Sequence, residues 1–542
     1  MIPQIEKFFR EKHQLIQLSC ILFIGLVIHH HAPLPASEPL PDAARPGFEA
    51  IRAENMQAVL TFLASDELEG RSAGERGLKI AAKFLESQYR LAGLTPAPGQ
   101  NSMLQKMHFI KSKVDAATTI TILSNQNEKR KERPFHLYED FVLTAKISEN
   151  DIKQAPVIFA GFGYQNDSTD YNDYDKLQVQ GKIVLILSGI PDIALKKDSA
   201  DNTLHAGRFR ARRAKIKLAE DAGAEALLVV NNRYIPKDEN QIARWQRRSS
   251  YKLPGDEDGF PTFYVSEPLA DALLAFTGWT VDSLRTQMLN QKTSVTFPIV
   301  GAQIRLNVKI QTELKETQNV VAYLKGSDPA LQHEVVAFSA HYDHLGMDAQ
   351  GNIYNGADDD GSGTTGLLEV ARAFAKNSPR PKRSLIFISH TGEEKGLLGS
   401  RHYTDHPLIP LDSMVALLNM DMIGRNQENS VYIIGSDFLS KELHQINEAA
   451  NRHVGLELDY TYNTRNHPER FYYRSDHYNY AKHGIPIIFY FSGTHEDYHK
   501  STDTVEKIDF IKMQHIARLV YLTGWDVANR QHRIRVERDV VD

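Results

Sequence analysis

With 542 residues, 42% hydrophobic and 24% charged, the chain exceeds one typical domain and has an ordinary globular composition, so two or three units are expected. A formal net charge of −5 and a pI near 6.5 give no reason to expect a nucleic-acid partner. The single cysteine, Cys20, excludes a disulfide framework and a thiolate metal site; any metal must be held by His, Asp and Glu, a donor set that favours zinc, manganese or cobalt.

Lys7, Arg10, Lys12 and His13 precede an apolar run over 18–28. That run is short for a membrane span and right for the core of an export signal, with Ala36 and Ser37 as small residues for cleavage. Residues 1–37 are therefore expected to be a signal peptide or an uncleaved N-terminal anchor. The protein would be exported, periplasmic or secreted, with any membrane attachment confined to this segment. A Pro/Ala-rich linker is expected over 38–47.

Residues 48–134 read as the N-terminal part of a catalytic domain. Val59, Phe62, Leu63 and then Ile80, Ala81, Phe84, Leu85 recur at helical spacing. Gly70-Arg-Ser-Ala-Gly74 separates the two helices and Gly93 closes the second. The stretch 119–123 alternates as a strand does, and the polar stretch 126–133 reads as a loop. Over 135–293, short β-rich runs at 157–160, 183–187, 226–230 and 260–265 mix with helices at 214–222 and 268–274. This predicts an inserted β-rich domain with no chemistry of its own. Its basic run Arg208-Phe-Arg210-Ala-Arg212-Arg213 reads as a solvated helix face. Over 294–528, near-continuous apolar runs at 335–340, 385–389, 415–418 and 485–491 alternate with helices at 365–376 and 441–453. Such runs fit strands covered on both faces, hence a three-layer α/β sheet carrying the main part of the catalytic domain. Residues 529–542 read as a charged tail.

His341 follows the first of these apolar runs, Glu393 and Glu394 the second, Asp421 the third and His499 the fourth. Open α/β sheets bind ligands beyond the carboxyl ends of their strands, so one rim receives all of these residues. Asp359 sits in a glycine-flanked turn before a helix, and one carboxylate has two oxygens with which to bridge two cations. Of the adjacent Glu393 and Glu394, one can bind metal while the other moves protons. Asp343, two residues after His341, is placed to orient that imidazole.

His341-Tyr-Asp343, Gly356-Ala-Asp-Asp-Asp-Gly-Ser-Gly363, Glu393-Glu394, Asn419-Met-Asp421 and Tyr498-His499-Lys-Ser-Thr-Asp503 together resemble the M28 co-catalytic zinc peptidases. Residues 135–293 resemble a protease-associated (PA) domain, notably at 181–185 and 222–224. The resemblance implies a three-layer αβα zinc-peptidase (phosphorylase/hydrolase-like) domain with an inserted PA-like domain, two Zn²⁺ per chain and peptide substrates. It implies Asp359 as the bridging ligand, Glu394 and His499 completing one zinc, His341 and Asp421 the other, and Glu393 as general base. Asp358 and Asp360 match non-ligating positions and are expected only to solvate the turn. Ser475-Asp476-His477 resembles a motif lining the substrate side, and Tyr498 reads either as packing or as an oxyanion donor. His344 and His402 are expected to be surface or supporting histidines. The implied activity is that of an aminopeptidase, with a glutamate carboxypeptidase-like exopeptidase as the alternative. A glutaminyl-cyclase-like acyl transferase resembles a one-zinc site, and a metal-free receptor-like relative predicts broken ligands, whereas here the ligand set is intact.

Overall fold

A computed structural model describes residues 40–126, 129–149, 151–190, 205–291 and 294–537. The expected signal or anchor over 1–37, the first part of the linker and the end of the tail lie outside the described residues. The elements below belong to the compact unit Asp42–Asp542.

A nine-stranded sheet forms the catalytic layer. Its central strands, in spatial order, are Ser384–His390, Val335–His341, Met414–Met420 and Ile487–Phe491, paired in parallel. Every residue of these four is buried, as expected for strands covered on both faces. On one side the sheet continues antiparallel through Ile310–Leu324, Leu104–Val114 and the short Ser250–Lys252. On the other it continues through Ser430–Ile434 and Glu457–Asp459.

The helices Gly363–Ala375 and Phe510–Asn529 pack against the sheet, Phe374 meeting Phe338 at 5.4 Å and Trp525 at 6.3 Å between ring centroids. Helices Ala53–Leu63 and Arg76–Leu91 fall where the apolar spacing predicts them. A further short helix, Arg45–Ala50, begins inside the stretch read as linker, with Pro46 in its first turn where a missing N–H costs nothing.

A second, eight-stranded sheet has its own core. Asp151–Ala160, Ile183–Leu187, Ala226–Val230 and Thr262–Val265 run parallel through its middle. Its outer strands are a correction to the sequence reading. Of the stretch 126–133 read as a loop, Gln126 ends one strand and 129–133 belong to another: Lys129–His136 is an edge strand paired in register with Thr119–Gln126, from Thr119↔His136 to Gln126↔Lys129. Charged residues are tolerated there because one edge of the strand faces solvent. The sheet also takes Thr296–Val308, so its strands run from 119 to 308, beyond the expected 135–293. Conversely, Ser250–Lys252 leaves this segment to pair with the catalytic sheet. Strand membership is decided by such non-local pairing, which composition does not report.

Candidate metal centre

Four strand ends and one turn converge. His341 is the last residue of its strand, Asp421 follows Met420, and Glu393 and Glu394 follow the strand ending at His390. His499 arrives on a loop after Phe491. Asp359 lies between Gly356 and the helix beginning at Gly363. Gly356 has φ +57°, and a Cβ there would sit 2.3 Å from the Asp359 carbonyl oxygen and 2.4 Å from the His344 ring. At Gly363 a Cβ would lie 2.3 Å from an Asp360 carboxylate oxygen. The turn can close only with glycine at these two positions.

The two oxygens of Asp359 face different partners. Oδ1 is 3.4 Å from His341 Nε2, which is itself 3.5 Å from Asp421 Oδ1. Oδ2 is 3.2 Å from His499 Nε2, which is 3.3 Å from Glu394 Oε2. Ligand atoms held about 2.0–2.1 Å from a tetrahedral ion lie roughly 3.3 Å apart, so these separations suit one cation on each side of Asp359. Glu393 Oε2 stands 3.9 Å from His341 Nε2, further than the other oxygens near that nitrogen.

The donors fit metal on a second count. Asp359, Glu393, Glu394 and Asp421 are four nearly buried carboxylates with no Lys or Arg in ion-pair contact among the described residues. His344 Nδ1 comes within 2.8 Å of Glu394 Oε1, yet neither atom has a hydrogen-bond partner. Buried polar atoms left in this state call for a cation between them. His341, Asp359 and Asp421 form one group that could hold an ion; His344, Asp359 and Glu394 form another. His344 is therefore not a surface histidine. It is fully buried in the second group, beside His499 at 6.1 Å between ring centroids. His402 packs against His406, away from this cluster.

Electrostatics separates the two glutamates. Burial lifts Glu393 well above the ordinary carboxyl range; the charge on His341 opposes this, while Asp421, Glu394 and Asp476 add to it. Burial and the Asp359 charge would raise Glu394 too, but the close approach of the His344 and His499 imidazoles holds it down at about 2. Burial would lower His499, yet Asp359 and Glu394 push it up to about 10.

Asp343 supports from two directions. Its backbone oxygen is 3.1 Å from His341 Nδ1, and its Oδ1 accepts from the Glu393 backbone N–H at 3.1 Å. The carboxylate itself is 3.8 Å from Nδ1, so the carbonyl makes the closer contact. Asp358 and Asp360 correct the expectation that they only solvate the turn, because both are fully buried. Asp360 accepts from the backbone N–H groups of His341, Gly363 and Met422 at 2.9–3.1 Å, tying the turn to two strand ends. Asp358 accepts from Gly424 N–H at 2.7 Å and lies 3.3 Å from His495 Nε2.

Two further residues hold the rim. Arg71 is buried, and its guanidinium donates to the carbonyls of Tyr342, Leu63, Asn355 and Gly356. It lies in Gly70–Gly74, where the sequence alone suggests only a helix break. Asp503 accepts from the N–H groups of Asp358 and Asp359. Its place in the Tyr498–Asp503 motif was the available signal.

A cavity beside the cluster is lined by Asp359, Glu393, Asp421, Phe471, Phe489 and Phe491, with Arg474, Tyr498 and His499 completing its wall. Tyr498 stacks on His499 at 3.8 Å between centroids. Asp476 and His477 do not line this cavity. His477 stacks on Phe489 and meets the Tyr472 carbonyl at 2.8 Å, a packed core position. Asp476 is fully buried and pushed up to about 7 by its burial. A larger cavity, about 960 Å³, lies in the eight-stranded domain and has no cluster of metal-ligand residues among the described residues.

Carboxylates and imidazoles gathered at parallel strand ends, one aspartate facing two ways, define a metal-dependent hydrolytic site, and the chain is a metallopeptidase. Residues 319–523 match Peptidase family M28 and residues 153–273 match the PA domain. It is 26% identical over 391 residues to Aminopeptidase YwaD of Bacillus subtilis (strain 168), covering 70% of this chain and 68% of that one. It is 31% identical over 210 residues to a probable leucine aminopeptidase of Trichophyton verrucosum, covering 37% of this chain and 56% of that one. Among solved structures, an aminopeptidase from Aneurinibacillus sp. strain AM-1 shares the fold at a TM-score of 0.54 and 20% identity, covering 92% of this chain and 98% of that one.

Proposed function

We propose that the protein is an exported zinc-dependent aminopeptidase with two zinc ions bridged by Asp359. His341 and Asp421 complete one site; Glu394 and His499 complete the other, with His344 behind them. When bound, the two ions acidify the attacking water and polarise the scissile carbonyl. Glu393 accepts the water's proton and returns it to the leaving amine; its lifted affinity for protons in the metal-free state suits a carboxyl that is not a fixed counter-ion. Asp343 holds the His341 ring and the Glu393 backbone in register.

The observation that supports cleavage from the amino end is the lining of the cavity. Glu393 and Asp421 present carboxylates to it beside Phe471, Phe489 and Phe491. A free α-ammonium with an apolar first side chain suits that mixture. A carboxypeptidase reading of this same cavity would need a cation in its wall for the substrate's terminal carboxylate. Arg474 is the one arginine in the wall, but it lies 3.7 Å from Glu469 and 4.6 Å over the Phe471 ring.

No helix among the described residues is long and apolar enough to cross a membrane. Export is inferred from the N-terminal sequence alone. Turnover of Leu- and Ala-anilides, with none of C-terminal glutamyl peptides, tests the end specificity; the opposite pattern rejects it. Metal analysis of the same sample should return about two zincs per chain.

A further inference from the structure

A second cleft, of about 310 Å³, lies on the other side of the paired glutamates. Glu393 lines the cavity already described, whereas Glu394 lines this one, together with residues of the PA domain. The two cavities thus meet the metal group at adjacent residues. The volume falls in the range of sites that hold small ligands or a few residues of a peptide.

The charge of this cleft is one-sided. Lys146, Arg212, Arg248 and Lys395 line it, and its only carboxylate is Glu394, which is engaged by His344 and His499. Among the described residues none of the four cations makes an ion pair, whereas nearby Asp256 is occupied by Arg401. Three of the four rest on aromatic faces instead. Arg248 lies 4.4 Å over Trp245, Arg212 5.1 Å over Tyr264 and Lys395 5.7 Å over Tyr251, measured to ring centroids. An aromatic face positions a cation without neutralising it. Lys146 is held below the ordinary lysine range by partial burial and by Arg401, with Asp256 opposing the shift. Four cations outside any ion pair among the described residues, next to the metal group of a chain of net charge −5, suit an anionic ligand.

We propose that this cleft binds carboxylates of the peptide on the leaving side of the scissile bond, making peptides with acidic residues after the first two positions the preferred substrate class. This rests on the aminopeptidase reading, and the test separates the two. Three amidated peptides, Leu-Ala followed by three Asp, three Ser or three Lys, are compared with Leu-anilide. The anilide has no chain to reach the cleft, so failure to turn it over rejects the aminopeptidase reading alone.

Given turnover of the anilide, kcat/KM should favour the Asp peptide over the Lys peptide by at least about tenfold at low ionic strength, and the ratio should shrink as salt is added. Equal rates for the three peptides overturn the proposal. The free-acid and amide forms of the Ser peptide separate side-chain carboxylates from the chain terminus: equal rates assign the cleft to side chains, and a faster free acid assigns it to the terminus. The double variant Lys146→Met, Arg248→Met should bring the Asp-to-Lys ratio close to one, while Arg248→Lys keeps most of it. A full ratio in the double variant overturns the proposal even if the wild type prefers acid.

Discussion

The two large sheets of this protein are built from the same kind of strand and do different work. In the PA domain Ile183–Leu187, Ala226–Val230 and Thr262–Val265 are wholly buried and parallel, like the four central strands of the catalytic sheet. The residues just past the strand ends differ. The PA strands lead into Ser188-Gly189, Asn231-Asn232 and Ser266-Glu267, and the cavity beside them has no metal-ligand cluster among the described residues. The catalytic strands lead into His341, Glu393-Glu394 and Asp421. Apolar runs specify a doubly covered sheet in both places; the few residues beyond the last buried position decide whether its rim is a site.

The strongest way to break this contrast is to remove the bridge. Asp359→Ala takes away the one side chain whose two oxygens face both donor groups. Turnover should fall to background and metal content should drop, read by elemental analysis. Retained metal with retained turnover would place the centre elsewhere. Next in size is Glu393→Gln, which keeps the shape of the side chain and removes its basicity. Metal content should persist while kcat falls about 10²–10⁴-fold. Unchanged kcat would mean that another group moves the proton.

The rim and its ligand-type residues could be read in the sequence because each sits a fixed short distance after an apolar run, and buried parallel strands are the easiest elements to recognise. Other features depend on partners far away in the chain. Arg71 gains its role from carbonyls as distant as Gly356, so nothing near it in sequence distinguishes it from an exposed arginine after a turn. Asp358 and Asp360 look like a solvated acidic turn until backbone N–H groups from Met422, Gly424 and His341 are brought to them. His344 looks like a spare histidine until Glu394 arrives. Lys129–His136 carries the composition of a loop and becomes a strand because Thr119–Gln126 offers it a free edge.

Each domain also has a buried polar hub, and the two hubs hold different things. In the catalytic domain Arg71 satisfies four carbonyls around the metal-binding turn. In the PA domain the buried Asp173 accepts from the N–H groups of Phe162 and Tyr164, the Tyr171 hydroxyl and the Ser294 hydroxyl. Arg71→Met and Asp173→Ala should each cost on the order of 3 kcal/mol, because each leaves several buried groups unpaired. Calorimetry should show both losses. Only Arg71→Met should also lower turnover in the folded enzyme, since only its carbonyls belong to the rim. An equal loss of turnover in Asp173→Ala would mean that the PA domain sets the rim geometry.

pH offers a smaller effect. Burial works against the charge on His499, but Asp359 and Glu394 raise it to about 10, against 6.5 for an unperturbed histidine. In metal-free protein the protonated ring stands in for a cation. Its contribution to stability is fully present below about pH 6.5 and is lost as pH rises towards 10. With the side chain 39% exposed, solvent screening leaves about 1 kcal/mol of it. The His499 contribution should therefore fade between pH 6.5 and 10, read as the difference in thermal stability between the metal-free enzyme and its His499→Gln variant, and metal binding at pH 7 should release protons, measurable by titration calorimetry in buffers of different ionisation enthalpy. The PA domain, with no metal-ligand cluster among its described residues, should contribute nothing to that proton release. Binding at pH 7 without proton release would place a neutral imidazole at 499.

The smallest effect lies where a strand from the PA segment joins the catalytic sheet. Arg401 of the catalytic domain pairs with Asp256 of the PA segment, both partly exposed, at 33% and 28% of their side chains. Beside that pair, Ser250–Lys252 is hydrogen-bonded into the catalytic sheet through Ile110↔Lys252, Lys111↔Tyr251 and Ser112↔Ser250. A strand pairing fixes orientation through several backbone bonds, whereas an exposed ion pair is screened and entropically costly, with a typical net value of about 0–1 kcal/mol. Asp256→Asn should therefore shift the unfolding free energy by less than about 1 kcal/mol. It should also leave anilide turnover where it was, because the strand continues to hold the PA segment against the metal rim. A loss above about 2 kcal/mol, or a fall in anilide turnover, would show that the charge pair and not the strand pairing couples the two sheets.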